Sequence, residues 1–105
     1  MTLRTIVVIE DDTLQRVDTV EMLAAAGLHV AGFADGDSAL DYIRQNRDDV
    51  AGVFTDIGLA TDTDGLEVSR LVTEAFPGTA VVVTSGRFAD RSVGLDDGVR
   101  YLARP

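Results

Sequence analysis

The chain contains neither cysteine nor lysine among its 105 residues, and each absence limits what it can do. Without cysteine, disulfides and thiolate metal sites are excluded, so any metal ion must be held by oxygen. All nine basic residues are arginine, a bias that genome composition explains more readily than chemistry. The absence of lysine also means that the basic residue near the end of the chain, at position 104, is an arginine.

Long hydrophobic runs and clusters of positive charge are also missing. No apolar run approaches the ~20 residues that span a bilayer, and residues 1–4 lead into a strand without the apolar segment of a signal peptide. We therefore expect a cytoplasmic protein that does not insert into membranes. The net charge of −9 repels nucleic acid phosphates, and no arginine-rich stripe offsets it, so we expect no direct binding to nucleic acid.

What remains is the composition of an ordinary globular protein, with 46% hydrophobic and 26% charged residues. A chain of 105 residues can form one hydrophobic core but not two. No repeat, low-complexity tract or linker divides it. We therefore predict a single domain over residues 1–105.

Five strand-like runs alternate with segments of helical spacing. The runs cover residues 4–9, 28–33, 50–55, 80–84 and 99–102, and the helices cover 12 or 13 to 26, 37–46, and 64 to a stop at Pro77-Gly78. With right-handed crossovers, this alternation predicts an α/β fold, a doubly wound parallel sheet with helices on both faces. In the flavodoxin-like strand order 2-1-3-4-5, ligands bind between the carboxyl ends of strands 1 and 3.

Helix 1 has an apolar face, and the helices expected to follow strands 4 and 5 in this fold class have little or no counterpart in the sequence pattern. The face is formed at helical spacing by Leu14, Val17, Val20, Leu23 and Ala24. The glycine-rich segment 85–98 has little helical periodicity, which predicts a short fourth helix. The sequence ends at Pro105, where a fifth helix would begin, so we expect a fifth helix to be absent from these 105 residues. A continuation of the protein beyond Pro105 explains this ending better than a missing helix does. If the helix is truly missing, apolar surface exposed beside helix 1 would favour a homodimer or docking to another domain.

Acidic residues follow the two strands whose ends lie side by side in this topology. Glu10, Asp11 and Asp12 come directly after strand 1, and Asp56 follows strand 3. An acidic cluster at the end of a buried strand is costly unless a cation sits there, and Mg²⁺ prefers carboxylate oxygens. Four carboxylates are therefore predicted to converge on one pocket, although a helix N-cap explains Asp12 equally well.

Polar groups also follow the last two strands, Thr84 after strand 4 and Arg104 after strand 5. Together with the acidic residues, this hydroxyl and this cation supply the groups needed to bind a metal ion and a phosphate. Other polar residues are less informative. His29 is expected at a surface or edge position, and the acidic loop Asp62-Thr63-Asp64 is expected to be solvated or to cap a helix.

The order of these residues resembles the receiver domain of bacterial two-component response regulators, over essentially the whole chain. Any one motif is unspecific, but five in the same order and spacing are not. The motifs are Glu10-Asp11 ending strand 1, Asp56 after strand 3, Asp64-Gly65 in the turn to helix 3, Thr84 after strand 4, and Tyr101 with Arg104-Pro105 at strand 5. The resemblance implies a flavodoxin-like five-stranded sheet and a function in phosphorelay signal transduction.

The resemblance also implies a chemical role for the matching acidic residues. Asp56 would be the phosphoacceptor, taking a phosphoryl group from a histidine kinase or a phosphotransfer protein. The reaction would need Mg²⁺, held by Glu10, Asp11 and Asp56 with the backbone carbonyl of Gly58. The domain would catalyse its own phosphotransfer and dephosphorylation, but its role would be chiefly regulatory.

Thr84 and Arg104 would bind the phosphoryl oxygens in such a domain. Movement of Thr84 would open space for the Tyr101 ring, and the repacked surface would be read by a downstream protein or an adjoining output domain. The family almost always has lysine where Arg104 stands, and the usual sequence after the phosphoacceptor is replaced by Leu59-Ala60-Thr61. Arginine and lysine are not interchangeable around one phosphoryl oxygen. The presence of Arg104 in place of lysine is therefore expected to change the strength of the signal.

Two other functions remain as alternatives. Arg104 and the altered loop suggest a receiver-like interaction module that works without phosphate, whereas the retained acidic residues and Thr84 favour phosphotransfer. A Mg²⁺-dependent phosphatase acting on small molecules would need a second acid two residues after its nucleophile, where Gly58 stands. It would also need a substrate cap, for which the chain has no room.

Overall fold

The computed structural model describes residues 4–56, 65–85 and 99–103. Its elements alternate as predicted, with boundaries close to the predicted ones. The strands are β1 (Thr5–Ile9), β2 (His29–Phe33), β3 (Val50–Asp56), β4 (Ala80–Ser85) and β5 (Val99–Ala103). The α-helices are α1 (Thr13–Ala25), α2 (Gly36–Gln45) and α3 (Gly65–Ala75), and a short 3-10 helix covers Arg47–Asp49.

The strands lie parallel in one sheet, in the order β2-β1-β3-β4-β5. Ile9, the last residue of β1, lies opposite Thr55 of β3, and Asp56 lies opposite Thr84 of β4. The ends of β1, β3 and β4 therefore reach the same edge of the sheet, which we call the carboxyl edge. The predicted α/β class, a parallel sheet covered by helices, is confirmed.

The two helices that follow β1 and β2 each begin at an aspartate N-cap. The Asp12 carboxylate accepts a hydrogen bond of 3.0 Å from the backbone N–H of Gln15. The Asp35 carboxylate accepts one of 2.7 Å from the backbone N–H of Ser38 and one of 3.1 Å from its hydroxyl. These two bonds, the backbone one first, lower the pKa of Asp35 because they stabilise the charged carboxylate.

Helix α1 ends at a glycine, as predicted. Gly27 has a φ of 91°, a conformation that side chains with a Cβ rarely adopt. Its N–H donates to the carbonyl of Ala24 at 2.9 Å, and the N–H of Leu28 donates to the carbonyl of Leu23 at 3.2 Å. This pair of bonds is the Schellman motif, which satisfies the last carbonyls of the helix and turns the chain toward β2.

The hydrophobic core lies between the sheet and the helices α2 and α3. Alternate residues of β1, β3 and β4 point to this face and meet apolar residues of both helices. The core residues, each at most 4% exposed, are Val7, Ile9, Ala39, Leu40, Ile43, Val50, Val53, Val68, Val72, Val81 and Val83. Phe33 and Tyr42 pack against this set, with ring centroids 5.2 Å apart.

Helix α1 packs on the other face of the sheet, and much more loosely. None of its residues is buried, and Leu14 is 78% exposed. Beside it lies an apolar groove of about 190 Å³, lined by Leu23 of the helix and by Ile6, Phe54 and Val82 of the sheet. The apolar face predicted for α1 is therefore largely uncovered by the described part of the chain.

Two parts of the predicted architecture lie outside the described residues. The short fourth helix was placed in the glycine-rich segment, of which residues 86–98 are not described. The expected absence of a fifth helix concerns the end of the chain and stays a prediction. Among the described helices, none combines the length and apolarity that crossing a bilayer requires.

Candidate functional site

Three carboxylate side chains meet at the carboxyl edge of the sheet. Glu10 and Asp11 follow β1, and Asp56 is the last residue of β3. One carboxylate oxygen from each residue lies within 4.8 Å of those of the other two. Glu10 is 4% exposed, whereas both aspartates are half-buried. We call these three residues the acidic cluster.

Hydrogen bonds from two neighbouring elements hold Glu10 in place. Its backbone N–H donates to the carbonyl of Phe33 at 3.0 Å, which continues the pairing of β1 with β2. Its carbonyl accepts a hydrogen bond of 2.9 Å from the Arg16 guanidinium of α1. Its Oε1 accepts the backbone N–H of Asp12 at 3.1 Å. The nearly buried carboxylate is therefore positioned by the fold and is not a mobile surface group.

Asp12 is not part of the acidic cluster, which corrects the prediction that four carboxylates converge. Its side chain caps α1 instead, through the bond to Gln15. The N-cap alternative considered for this residue is thus the one that the structure supports. Asp12 contributes to the site only through its backbone, which donates to Glu10.

Thr84 lies beside Asp56 because the two residues are register partners in β3 and β4. It is 1% exposed, and its hydroxyl donates to the carbonyl of Thr55 at 3.5 Å. This distance is at the limit for a hydrogen bond, so the hydroxyl loses little by turning to another acceptor. The structure therefore brings together four predicted site residues, namely Glu10, Asp11, Asp56 and Thr84.

The acidic cluster has the chemistry of a site for a hard cation. Carboxylates this close repel one another, and a divalent ion relieves that repulsion. Every donor is a carboxylate oxygen, the ligand type that Mg²⁺ and Ca²⁺ prefer. The residues present thus fit the metal ion that the sequence pattern implies.

Other predicted site residues lie outside the described part of the chain. These are Gly58, Arg104 and the Asp62-Thr63-Asp64 loop, together with the side chain of Tyr101. For Tyr101 the backbone is described, and it pairs with Val83 in the register of β4 and β5. The next residue of β5, Leu102, pairs with Thr84. The backbone of Tyr101 therefore lies one residue away from the position opposite Thr84.

Sequence reasoning did not identify Arg16 as a residue of the site. Its guanidinium donates to the backbone carbonyl of Glu10 and so helps to hold the backbone of this one cluster residue from α1. The only sequence feature that pointed to Arg16 was its position one turn after the N-cap, and arginines are common there on helices without such a role.

His29 is exposed on β2, as predicted, and its Nδ1 lies 3.0 Å from the Thr5 hydroxyl.

Solved structures share this fold over nearly the whole chain. A response regulator receiver domain protein from Clostridium thermocellum is 22% identical, with a TM-score of 0.88 over 98% of this chain and 83% of its own. A response regulator receiver protein from Sinorhizobium medicae is 26% identical, with the same TM-score and the same coverage of both chains. The response regulator TrrA from Thermotoga maritima, in complex with Mg(2+)-BeF, is 20% identical, with a TM-score of 0.84 over 98% and 88%.

The sequence itself matches one protein family. A search of curated proteins found no match. The family profile of the response regulator receiver domain, however, matches residues 6–101, which include the acidic cluster and Thr84. The chain therefore belongs to the family of response regulator receiver domains, the receivers of two-component systems.

Proposed function

We propose that this domain is a phosphoacceptor in which Asp56 receives a phosphoryl group in a Mg²⁺-dependent reaction. The observation that carries the proposal is the acidic cluster, three carboxylates within 4.8 Å of one another where β1 and β3 end. Membership of the receiver family supports it. We propose that the domain covers residues 1–105.

The donor set of the cluster supports Mg²⁺ as its cation. Glu10, Asp11 and Asp56 would hold the ion, together with the backbone carbonyl of Gly58. When bound, Mg²⁺ would neutralise the repulsion between a carboxylate and an incoming anionic phosphoryl group. The Mg(2+)-BeF complex of the Thermotoga maritima protein agrees with this proposal.

The transfer forms one bond and breaks one. A carboxylate oxygen of Asp56 attacks the phosphorus of a phosphohistidine, and the P–N bond breaks as the O–P bond forms. The electron pair of that bond stays on the imidazole nitrogen, which takes up a proton. The product is an acyl phosphate on Asp56. Water later attacks the phosphorus, restores the carboxylate and releases inorganic phosphate.

Thr84 and Arg104 would bind the phosphoryl oxygens of the product. The bond from the Thr84 hydroxyl to the Thr55 carbonyl is long, at 3.5 Å, so the hydroxyl can turn to a phosphoryl oxygen at little cost. Arg104 would pair with another oxygen. The Tyr101 ring would then occupy the space beside Thr84, and the surface of β4 and β5 would change.

The phosphoryl donor would be a histidine kinase or a phosphotransfer protein, and the changed surface would be read by a downstream protein or an output domain. A homodimer is an alternative partner, because α1 exposes apolar side chains such as Leu14. If Asp56 proves not to accept phosphate, the domain would instead be an interaction module that works without phosphorylation.

The test is the intact mass of the protein after exposure to phosphoramidate, with and without Mg²⁺. We expect a gain of one phosphate that requires the metal ion and is abolished by Asp56→Asn. The matched control is Asp12→Asn, since asparagine keeps the helix cap and Asp12 lies outside the cluster. No gain in the wild type, or an equal gain in Asp56→Asn, would contradict the proposal.

A further inference from the structure

A second polar cavity lies at the opposite edge of the sheet, where the strands begin. Arg4 precedes β1, the 3-10 helix that begins at Arg47 precedes β3, and Thr79 precedes β4. These three residues line a cleft of about 280 Å³. Since β3 has seven residues, the cleft is about 20 Å from Asp56 at the other end of the strand. We call it the amino-edge cleft.

The two arginines that line the cleft, Arg4 and Arg47, make no salt bridge with any described residue. The arginines of α2 and α3 are paired, Arg44 with Asp41 at 3.3 Å and Arg70 with Glu67. Arg4 instead donates to the backbone carbonyl of Val50 at 3.2 Å, which fixes its guanidinium at the start of β3. The chain as a whole has a net charge of −9, so a cavity lined by two arginines is a local exception to its negative charge.

The lining of the cleft also has an opposing charge and an apolar wall. Asp48 is the one acidic residue among the lining residues, against the two arginines. Phe76 and Pro77 follow α3 and form the apolar part. The turn after them is closed by a hydrogen bond of 2.9 Å from the Thr79 N–H to the Phe76 carbonyl. A Cβ added at Gly78 would meet no atom within 4 Å, so the cleft is open at this turn.

We propose that the amino-edge cleft binds a small organic anion, with a carboxylate or phosphate group on an apolar body. The anionic group would pair with Arg4 and Arg47, since guanidinium groups form charge-assisted hydrogen bonds with both kinds of oxyanion. The apolar body would lie against Phe76 and Pro77. The site does not depend on the acidic cluster, from which it is separated by the length of β3.

The test is a titration of the ¹⁵N-labelled protein with phenyl phosphate, followed by NMR. Protein and buffer are first passed over a chelating resin, so that the acidic cluster holds no divalent ion and no competing carboxylate is present in solution. We expect saturable shifts of the Asp48, Gly78 and Thr79 amides. Benzoate, which also has an anionic group on an aromatic ring, should produce the same pattern. Benzyl alcohol lacks the charge and inorganic phosphate lacks the apolar body, so each of these two compounds should bind at least about tenfold more weakly than phenyl phosphate.

Charge variants decide which residues bind the anion. Arg47→Gln should weaken phenyl phosphate about tenfold, the loss of one charge-assisted contact, and Asp48→Asn should strengthen it. Arg44→Gln is the matched control, since Arg44 is an exposed arginine outside the cleft, and it should leave binding unchanged. Arg4→Gln should also weaken binding, and its thermal unfolding shows whether the lost bond to Val50 has disturbed the fold.

Three results would overturn the proposal. The first is a linear, non-saturating response to phenyl phosphate at these amides. The second is equal binding by Arg47→Gln and Arg44→Gln. The third is binding of benzyl alcohol as tight as that of phenyl phosphate, which would show that the arginines of the cleft do not contribute to binding.

Discussion

The two faces of the sheet differ in how completely they are covered. On the face of α2 and α3, eleven apolar residues are at most 4% exposed and form one continuous core. On the face of α1, no residue of the helix is buried, and an apolar groove runs beside it. Burial of apolar surface is the main source of folding free energy, so among the described residues the first face contributes more to stability than the second.

The residues proposed to carry the chemistry belong to the less covered face. Side chains alternate along a strand, so Asp56 and Thr84 share their face with Phe54 and Val82, which line the groove beside α1. The core residues Val53, Val81 and Val83 point the other way. The residues that contribute most to stability and the residues proposed for the chemistry therefore lie on opposite faces of the sheet. Changes in the acidic cluster should affect function with little loss of stability, and changes in the core should do the opposite.

The largest effect on stability should come from Ile43→Ala. Ile43 is fully buried in α2, and removal of its side chain leaves a cavity in the core. We expect a loss of about 2–5 kcal/mol in the free energy of unfolding, measured by urea denaturation. The matched control on the other face is Leu14→Ala, which should cost less than about 0.5 kcal/mol because Leu14 is 78% exposed. Equal losses in the two variants would remove the distinction between the faces.

Glu10→Gln should act on metal binding and not on folding. The amide keeps an oxygen that can accept the Asp12 N–H, but it removes one negative charge from the cluster. We expect Mg²⁺ affinity to fall at least about tenfold, as followed by isothermal titration calorimetry. Without Mg²⁺ the stability should be unchanged or higher, because repulsion among the carboxylates is reduced. Unchanged Mg²⁺ affinity would show that Glu10 has no part in the site.

Asp12→Ala should destabilise the protein by about 1 kcal/mol through loss of the α1 N-cap. Asp12→Asn, which keeps an oxygen for the Gln15 N–H, should be close to the wild type. Urea denaturation of both variants measures the difference. An equally large loss in Asp12→Asn would mean that the charge of Asp12, and not its capping bond, matters.

The smallest effect should be the pH dependence that comes from Asp35. Its folded pKa lies below the ordinary value of 3.8, so its stabilising contribution is fully present above that value. The contribution is lost as the pH falls through the lowered folded pKa, where the capping carboxylate becomes protonated. We compare urea denaturation of the wild type and Asp35→Asn between pH 6 and pH 3. The stability difference between them should shrink below about pH 4, and a constant difference would contradict this assignment.

Local patterns were sufficient to predict the elements of the fold. β-Branched runs gave the strands, and Gly27 and Pro77 marked the ends of α1 and α3 within a few residues. Parallel topology was then enough to predict that Glu10, Asp11 and Asp56 meet, because this depends only on which strand ends are neighbours. Thr84 followed from the same rule.

The remaining features depend on contacts that no local pattern contains. Asp12 was ambiguous because capping and metal binding both favour an aspartate after a strand, and only the position of Gln15 decides between them. The role of Arg16 required the distance from α1 to the backbone of Glu10. The exposure of Leu14 could not be read from the periodicity of α1, because an apolar face predicts where a helix can pack and not what covers it.

The central claim is that the carboxylate of Asp56 itself becomes the acyl phosphate. The most direct measurement is reduction of the phosphoramidate-treated protein with borohydride, which converts an aspartyl phosphate to homoserine, followed by tandem mass spectrometry of the peptides. We predict homoserine at position 56, formed only when Mg²⁺ is present during phosphorylation. Homoserine at position 11 or 12 instead, or none under conditions that modify another receiver domain, would contradict the claim.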